Sequence, residues 1–250
     1  MLNAERHNLI MDLLKLRGSV KLRDIMDASD SSESTVRRDL ADLEEQGLLK
    51  RVHGGAILSQ ERATELSMGE KSVINVRGKK EIARIAALTV ADGDCIYLDA
   101  GSTTFEIIHF LAGRDITVVT NGLMHVEELV SLDLKAYILG GKMKAKTKAV
   151  IGGIALENIM NYRFDKAFIG ANGINIVDGY TTPDMEEALL KRRVMNLSDE
   201  TFIVADRTKL HHSHFAKMFD LEDAVIIIDQ MEAEDKARFM KKTTVMEALE

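Results

Sequence analysis

Between residues 78 and 228, a segment of helical period hands over to a short apolar run five times. Helices are expected near 78–91, 105–112, 125–131, 151–161 and 184–197. The runs that follow them are Cys95–Leu98, Ile116–Val119, Ala136–Leu139, Lys166–Ile169 and Phe202–Val204, with a sixth run at Ala224–Ile228. Strands that alternate with helices are joined by crossovers. Few packings satisfy that pattern, and the common one is a largely parallel sheet covered on both faces.

Composition narrows the class further. Hydrophobic residues make up 46% of the 250 and charged residues 29%, a globular balance with ample core. A single cysteine, Cys95, excludes a disulfide framework and a cysteine-based zinc site. Its apolar neighbours mark it as a buried structural thiol. No apolar stretch approaches the roughly 18 residues of a membrane helix. Arg6, His7, Asp12 and Lys15 interrupt any signal-peptide core. A cytoplasmic, soluble chain is expected, with no membrane partner, no cofactor and no bound metal. The histidines at 211, 212 and 214 read as a solvated or ligand-gating loop.

The first 58 residues follow a different plan. Residues 3–17 read as a helix with Leu9, Leu13 and Leu16 on one stripe, flanked by Ile10 and Leu14, and Gly18 as its stop. Lys21 to Ser29 reads as a second helix with Leu22, Ile25 and Met26 inward. Asp30-Ser31-Ser32 is a turn, and Asp30 with Glu33 suggests a capping-box start. A third helix to Gln46 turns Val36, Leu40 and Leu43 inward. Gly54-Gly55 marks a hairpin. Three short helices and a hairpin make a winged helix-turn-helix, a pattern that reads double-stranded DNA.

On the third helix, 100° per residue sends Ser34 and Arg38 outward once Val36, Leu40 and Leu43 face the core, with Thr35 and Arg37 on the flanks. Arginine pairs bidentately with guanine, and serine or threonine at a helix start reaches phosphate or base edges. Ser32 belongs to the same cluster. Lys50, Arg51 and His53 lie on the hairpin, and Lys21 and Arg23 flank the second helix as phosphate clamps. Over residues 1–58 nine basic residues face ten acidic ones. DNA affinity therefore rests on where the basic residues cluster, not on net charge.

The set Arg6, Ile10, Leu14, Ser32, Thr35, Val36, Arg37, Arg38, Asp39 and Leu40 resembles the N-terminal signature of the DeoR family of bacterial transcriptional regulators. The run Leu48 to Ala56 is also typical of that family, and the resemblance extends over nearly the whole chain.

In an open α/β sheet, ligands bind beyond the carboxyl ends of the strands. Those ends carry Asp99-Ala-Gly101-Ser102-Thr103-Thr104, then Asn121, then Gly140-Gly141-Lys142, then Gly170 to Gly173, then Asp206 to Lys209. A glycine followed by three hydroxyl residues at a helix start suits a phosphate. Lys79, Lys142 and Lys209 supply counter-charge, while Asp99, Asn121 and Asp206 accept from sugar hydroxyls. This half is similar to the ribose-5-phosphate isomerase fold. That likeness matches the phosphate loop at Gly101-Ser102-Thr103 and a phosphate lysine at Lys79. It also places Ile169 and Lys191 where the isomerase has acidic residues, with Lys191 at the catalytic glutamate and Asn172 replacing an aspartate. Without that base a sensor is expected, not an enzyme. A carboxylate displaced to Glu186 or Glu187 is the rival reading.

The expected organisation is α/β: a winged helix-turn-helix at 1–58, a linker at 59–75, and a ribose-5-phosphate-isomerase-like effector domain at 76–250. Ser67 to Lys71, Val119 to His125 and Gly179 to Asp184 look most like fructose-operon repressors of Gram-positive bacteria. That resemblance implies fructose 1-phosphate as the effector, with tagatose 6-phosphate as the alternative. Lys71 and Lys79, with Asp206 and Lys209, are expected to couple effector to DNA release. A helix-turn-helix reads one half-site, so a homodimer or homotetramer is expected.

Overall fold

Arg6, Ile10 and Leu14 recur at every fourth position of the first helix, and this is the stripe that the fold buries. The computed structural model describes residues 3–17, 19–45, 48–52, 54–58 and 66–248. They fall in two units, Met1–Glu65 and Leu66–Glu250.

The first unit holds α1 (Asn3–Arg17), β1 (Ser19–Lys21), α2 (Leu22–Ser29), α3 (Glu33–Glu45), β2 (Leu49–Val52) and β3 (Gly55–Leu58). Its core is Ile10, Leu14, Val20, Ile25, Val36, Leu40, Leu43, Leu49 and Ala56. Leu13 of α1 and Leu22 and Met26 of α2 only border it, so the buried stripe of α1 centres on Ile10 and Leu14 and not on Leu13. The charged residue on that stripe is paired: Arg6 Nε and Nη2 donate to Asp39 at 2.5 and 2.9 Å, which fastens α1 to α3. Asp30 does not open α3. It closes α2 in the left-handed region (φ 47°), and the Ser32 hydroxyl accepts the Thr35 N–H at 3.4 Å instead. The wing is also more than a hairpin, since β1 adds to it in the order β1-β3-β2. Gly55 permits this, because a Cβ there would lie 2.1 Å from the Val20 carbonyl oxygen. Gly18, Gln46, Gly47 and His53 lie outside the described residues.

The second unit opens with α4 (Met68–Val73) and α5 (Val76–Leu88). Strands and helices then alternate: β4 (Cys95–Leu98), α6 (Ser102–His109), β5 (Thr117–Thr120), α7 (His125–Ser131) and β6 (Lys135–Ile138), followed by the hairpin β7 (Lys142–Lys144) with β8 (Ala149–Ile151). Then come α8 (Gly153–Ile159), β9 (Phe164–Ile169), β10 (Gly173–Asn175), β11 (Gly179–Thr182), α9 (Met185–Met195) and β12 (Ser198–Val204). The chain finishes with β13 (Ala216–Phe219), β14 (Val225–Ile228), α10 (Ala233–Phe239) and β15 (Val245–Glu247). Seven strands pair in parallel in the order β15-β14-β12-β9-β4-β5-β6. Strand residues alternate between two cores. Ile96, Leu98, Val118, Phe168 and Ile227 pack under α5 and α6. Tyr97, Val119, Ala167, Ile169 and Ile228 pack under α8, α9 and α10.

The segment 66–75, expected as linker, contains α4 with a complete capping box between Ser67 and Glu70. The small antiparallel sheet β10-β11-β13, the β7–β8 hairpin and the edge strand β15 were not expected from the sequence. Among the described residues, no helix is long and apolar enough to cross a membrane.

Candidate functional site

On α3 the buried side is Val36, Asp39, Leu40 and Leu43. Ser32, Ser34, Arg37 and Arg38 are therefore exposed, with Thr35 half-buried. The Arg38 side chain makes no hydrogen bond or ion pair to another described residue. Arg37 donates to Glu33 at 2.8 Å one turn earlier, and Arg51 of β2 donates to Glu44 from its backbone and its side chain at 2.8 and 2.5 Å. Exposed pairs of this kind contribute about 0.5 kcal/mol and exchange readily for a phosphate. Lys21, Arg23 and Lys50 are exposed as well. His53 lies outside the described residues.

In the second unit, the strand order reverses direction between β4 and β9. Chain order runs from β4 outward to β6, then returns to β9 on the other side of β4 and runs outward to β15. This is the crevice where open α/β sheets take their ligands. Period two along β4 puts Asp99 on the same face as Tyr97, under α9. From α9, Lys191 donates to the Asp99 carboxylate and to the Gly170 carbonyl at 3.0 Å. Asp99 also accepts the Gly170 N–H at 3.0 Å. Burial lifts the Asp99 carboxyl above its ordinary value, against the pull of Lys191.

The Gly101 to Thr104 loop opens α6 beside Asp99. The Thr104 hydroxyl donates to the Gly101 carbonyl at 2.9 Å, and Ser102 and Thr103 are buried. Asn121 accepts the Ala100 N–H at 2.8 Å and donates to Val150 at 3.2 Å, so its amide ties this loop to β8. Gly140 donates to Asn158 at 3.1 Å, and Gly141 packs on the Ile151 carbonyl. Lys142 is exposed and paired with Glu186 at 2.8 Å. Past the end of β12, Asp206 accepts the Thr208 N–H at 2.9 Å and caps the short turn Arg207–Lys209. Lys79 is buried and donates to the carbonyls of Lys71 and Ile74. Burial lowers its pKa, with Asp206 opposing. The sequence expected Lys79 and Lys71 beside the pocket, and the structure joins them directly.

Glu187, weighed from the sequence only as a displaced base, is a buried hub of the site, and Asp184 and His125 were not singled out as site residues at all. Glu187 accepts from Lys144 at 3.0 Å, Thr147 at 2.9 Å and Thr182 at 3.3 Å. Its burial opposes ionisation, but Lys191 and Lys144 outweigh it and hold its pKa low. Asp184 caps α9 through the N–H groups of Glu186 and Glu187, at 2.8 and 3.1 Å. Both carboxylates proposed as a displaced base are thus engaged. His125, fully buried, lies 2.8 Å from the Thr120 hydroxyl and 3.4 Å from the Gly101 carbonyl. Burial drops its pKa to about 4. Only its place in the Val119 to His125 motif hinted at it.

Of the loop histidines, His211 pairs with Asp235 at 2.8 Å and His214 approaches the Asn172 carbonyl at 3.2 Å. Among the described residues one group has metal-like spacing, His7 with Asp39 and Asp42, and Arg6 already occupies its Asp39.

Residues 6–62 match the DeoR-like helix-turn-helix domain, and residues 74–230 match the DeoR C terminal sensor domain. The chain belongs to the DeoR family. Full-length relatives agree with that placement. An uncharacterized HTH-type transcriptional regulator, FruR of Bacillus subtilis (strain 168), is 43% identical, with 98% of each chain covered. The lactose phosphotransferase system repressor of Lactococcus lactis subsp. lactis is 33% identical, over 99% of this chain and all 100% of that protein. Among solved structures, a ribose 5-phosphate isomerase A from Methanocaldococcus jannaschii overlaps at a TM-score of 0.41. The identity there is 17%, over 54% of this chain and 55% of the other. This DeoR-family chain is a transcriptional regulator with a winged helix-turn-helix and a parallel α/β sensor domain.

Proposed function

We propose that this protein is a cytoplasmic repressor of a sugar-utilisation operon, released from its operator by a sugar phosphate. The observation that carries the reading is the pairing of an exposed, unengaged Arg38 on the recognition helix with a sensor domain whose switch point gathers Asp99, Lys191 and the Gly101 to Thr104 loop. Serine and threonine hydroxyls with backbone N–H groups at the start of α6 suit the phosphate, and Asp99 and Asp206 suit the sugar hydroxyls. Fructose 1-phosphate is the favoured effector, supported by the likeness to FruR. Tagatose 6-phosphate is the second reading, supported by the lactose-system repressor.

The protein turns over no substrate in this account. Lys191 is a cation that pairs with Asp99, and Glu186 and Glu187 are tied up by Lys142, Lys144, Thr147 and Thr182. None of them is placed as an unengaged general base. A symmetric dimer or tetramer would bring two recognition helices to the two half-sites.

Mobility shift on the DNA upstream of the chain's own gene, against shuffled DNA at one stated salt, tests the DNA half of this reading. Preference for the upstream fragment is expected. Equal affinity for both would overturn it. Ribose 5-phosphate turnover by the purified chain would overturn the non-enzymatic half.

A further inference from the structure

Helix α4 has six residues, far fewer than the roughly 12–15 at which an isolated helix becomes marginal. It persists because both of its ends are held. At its start the Met68 N–H donates to the Lys146 carbonyl in the β7–β8 turn at 2.9 Å. Its terminal carbonyls are held by a side chain of the next helix: Lys79 donates to Lys71 and, at 2.7 Å, to Ile74. Immediately after, Asn75 takes the left-handed conformation (φ 48°) and its amide donates to Asp229 at 2.8 Å. Asp229 in turn accepts the Arg207 N–H at 2.8 Å. Gly78 makes that pin possible, since a Cβ there would sit 2.6 Å from both the Asn75 amide and the Asp229 carboxylate.

Two of these anchors, Arg207 and Asp229, lie past the carboxyl ends of sheet strands, the same edge as Asp99. Arg207 follows Asp206 at the end of β12, and Asp229 follows the end of β14. Thr147, next to Lys146, donates to Glu187. Asp206, Lys209 and, one turn into α6, Glu106 all lie within electrostatic reach of the Lys79 ammonium. A charged phosphate oxygen is a stronger acceptor for an ammonium than a neutral carbonyl. Lys79 therefore has two competing uses.

We propose that α4 is a strap, closed by Lys79 and opened when an anionic effector takes the Lys79 ammonium for itself. This inference rests on the sugar-phosphate reading above and names its regulation. Opening hands residues 66–75 to the chain that connects the two units. A symmetric operator requires recognition helices at fixed spacing, so a longer connection weakens binding.

Amide hydrogen exchange on the full chain, with and without fructose 1-phosphate, tests this directly, and tagatose 6-phosphate and ribose 5-phosphate serve as parallel probes. Calorimetry on the same samples reports binding separately. Exchange in residues 68–75 is expected to rise about tenfold when a sugar phosphate binds, the mark of local opening. Binding with exchange there unchanged or slowed overturns the strap while leaving the sensing reading intact. Heat from none of the three sugars overturns the sensing reading, and the strap with it. A variant works without ligand: Gly78→Ala adds a good helix former to α5 but displaces the Asn75–Asp229 pin. It is expected to speed exchange in 68–75 while the sheet amides keep their protection. Unchanged exchange in that variant overturns the anchoring.

Discussion

The Lys191 ammonium rests on the Asp99 carboxylate, joining α9 to the end of β4 at the point where the sheet changes direction. Both side chains are almost wholly buried. Removing one partner strands the other charge in a low-dielectric site, which costs about 3–5 kcal/mol. Lys191→Met is expected to destabilise the second unit by that amount, read as a fall in melting temperature. Asp99→Asn in the same chain should recover much of the loss. A single variant that melts with the wild type would show that the pair carries no such weight.

Arg38 and Arg37 are neighbours with different engagements, because Glu33 already holds Arg37. Arg38→Ala is expected to weaken binding to the upstream fragment by about 1–3 kcal/mol and to relax preference at one base position. Titrations on specific and shuffled DNA distinguish this from a phosphate contact, which would lower both affinities equally.

Lys209 follows the Asp206 cap and lies near Lys79. Lys209→Ala should abolish the response to the effector and leave operator affinity unchanged. Loss of operator affinity in a shift assay without effector would contradict a sensing role.

His125 makes stability depend on pH with a definite sign. In the folded chain it stays neutral down to about pH 4, while its ordinary value is 6.5. Between those values the unfolded chain holds the extra proton, so the contribution is complete above the ordinary value. It is lost as pH falls through the window, up to about 3 kcal/mol in all. Urea unfolding of wild type and His125→Gln at neutral and mildly acid pH isolates it. The variant is expected to lose less stability on acidification, and parallel losses would contradict the assignment.

Much of this was legible in the sequence for simple reasons. Strong periodicity set by burial on both faces revealed the central strands, and Cys95–Leu98 and His125–Ser131 match the expected ranges. The recognition helix was legible because Val36, Leu40 and Leu43 repeat at helical spacing. Helix α4 was not, since six largely polar residues show no periodicity, although Ser67 and Glu70 carry the capping spacing. The β10-β11-β13 sheet escaped notice because its strands are three or four residues long and its pairing is non-local. Lys79 read as a ligand contact from its charge. Only three-dimensional packing shows it bound to the carbonyls of Lys71 and Ile74. Arg6 and Asp39 were visible only as parts of the family signature, and their buried ion pair was not, because the two are far apart in sequence.

The proposed repressor binds an operator and lets go when a sugar phosphate arrives. Fluorescence anisotropy of the labelled upstream fragment, bound by the full chain and titrated with fructose 1-phosphate at fixed salt, tests it most directly. A saturable fall to the free-DNA value is expected, with ribose 5-phosphate giving none. An anisotropy that never rises on adding protein, or that stays bound through saturating fructose 1-phosphate and tagatose 6-phosphate alike, would contradict it.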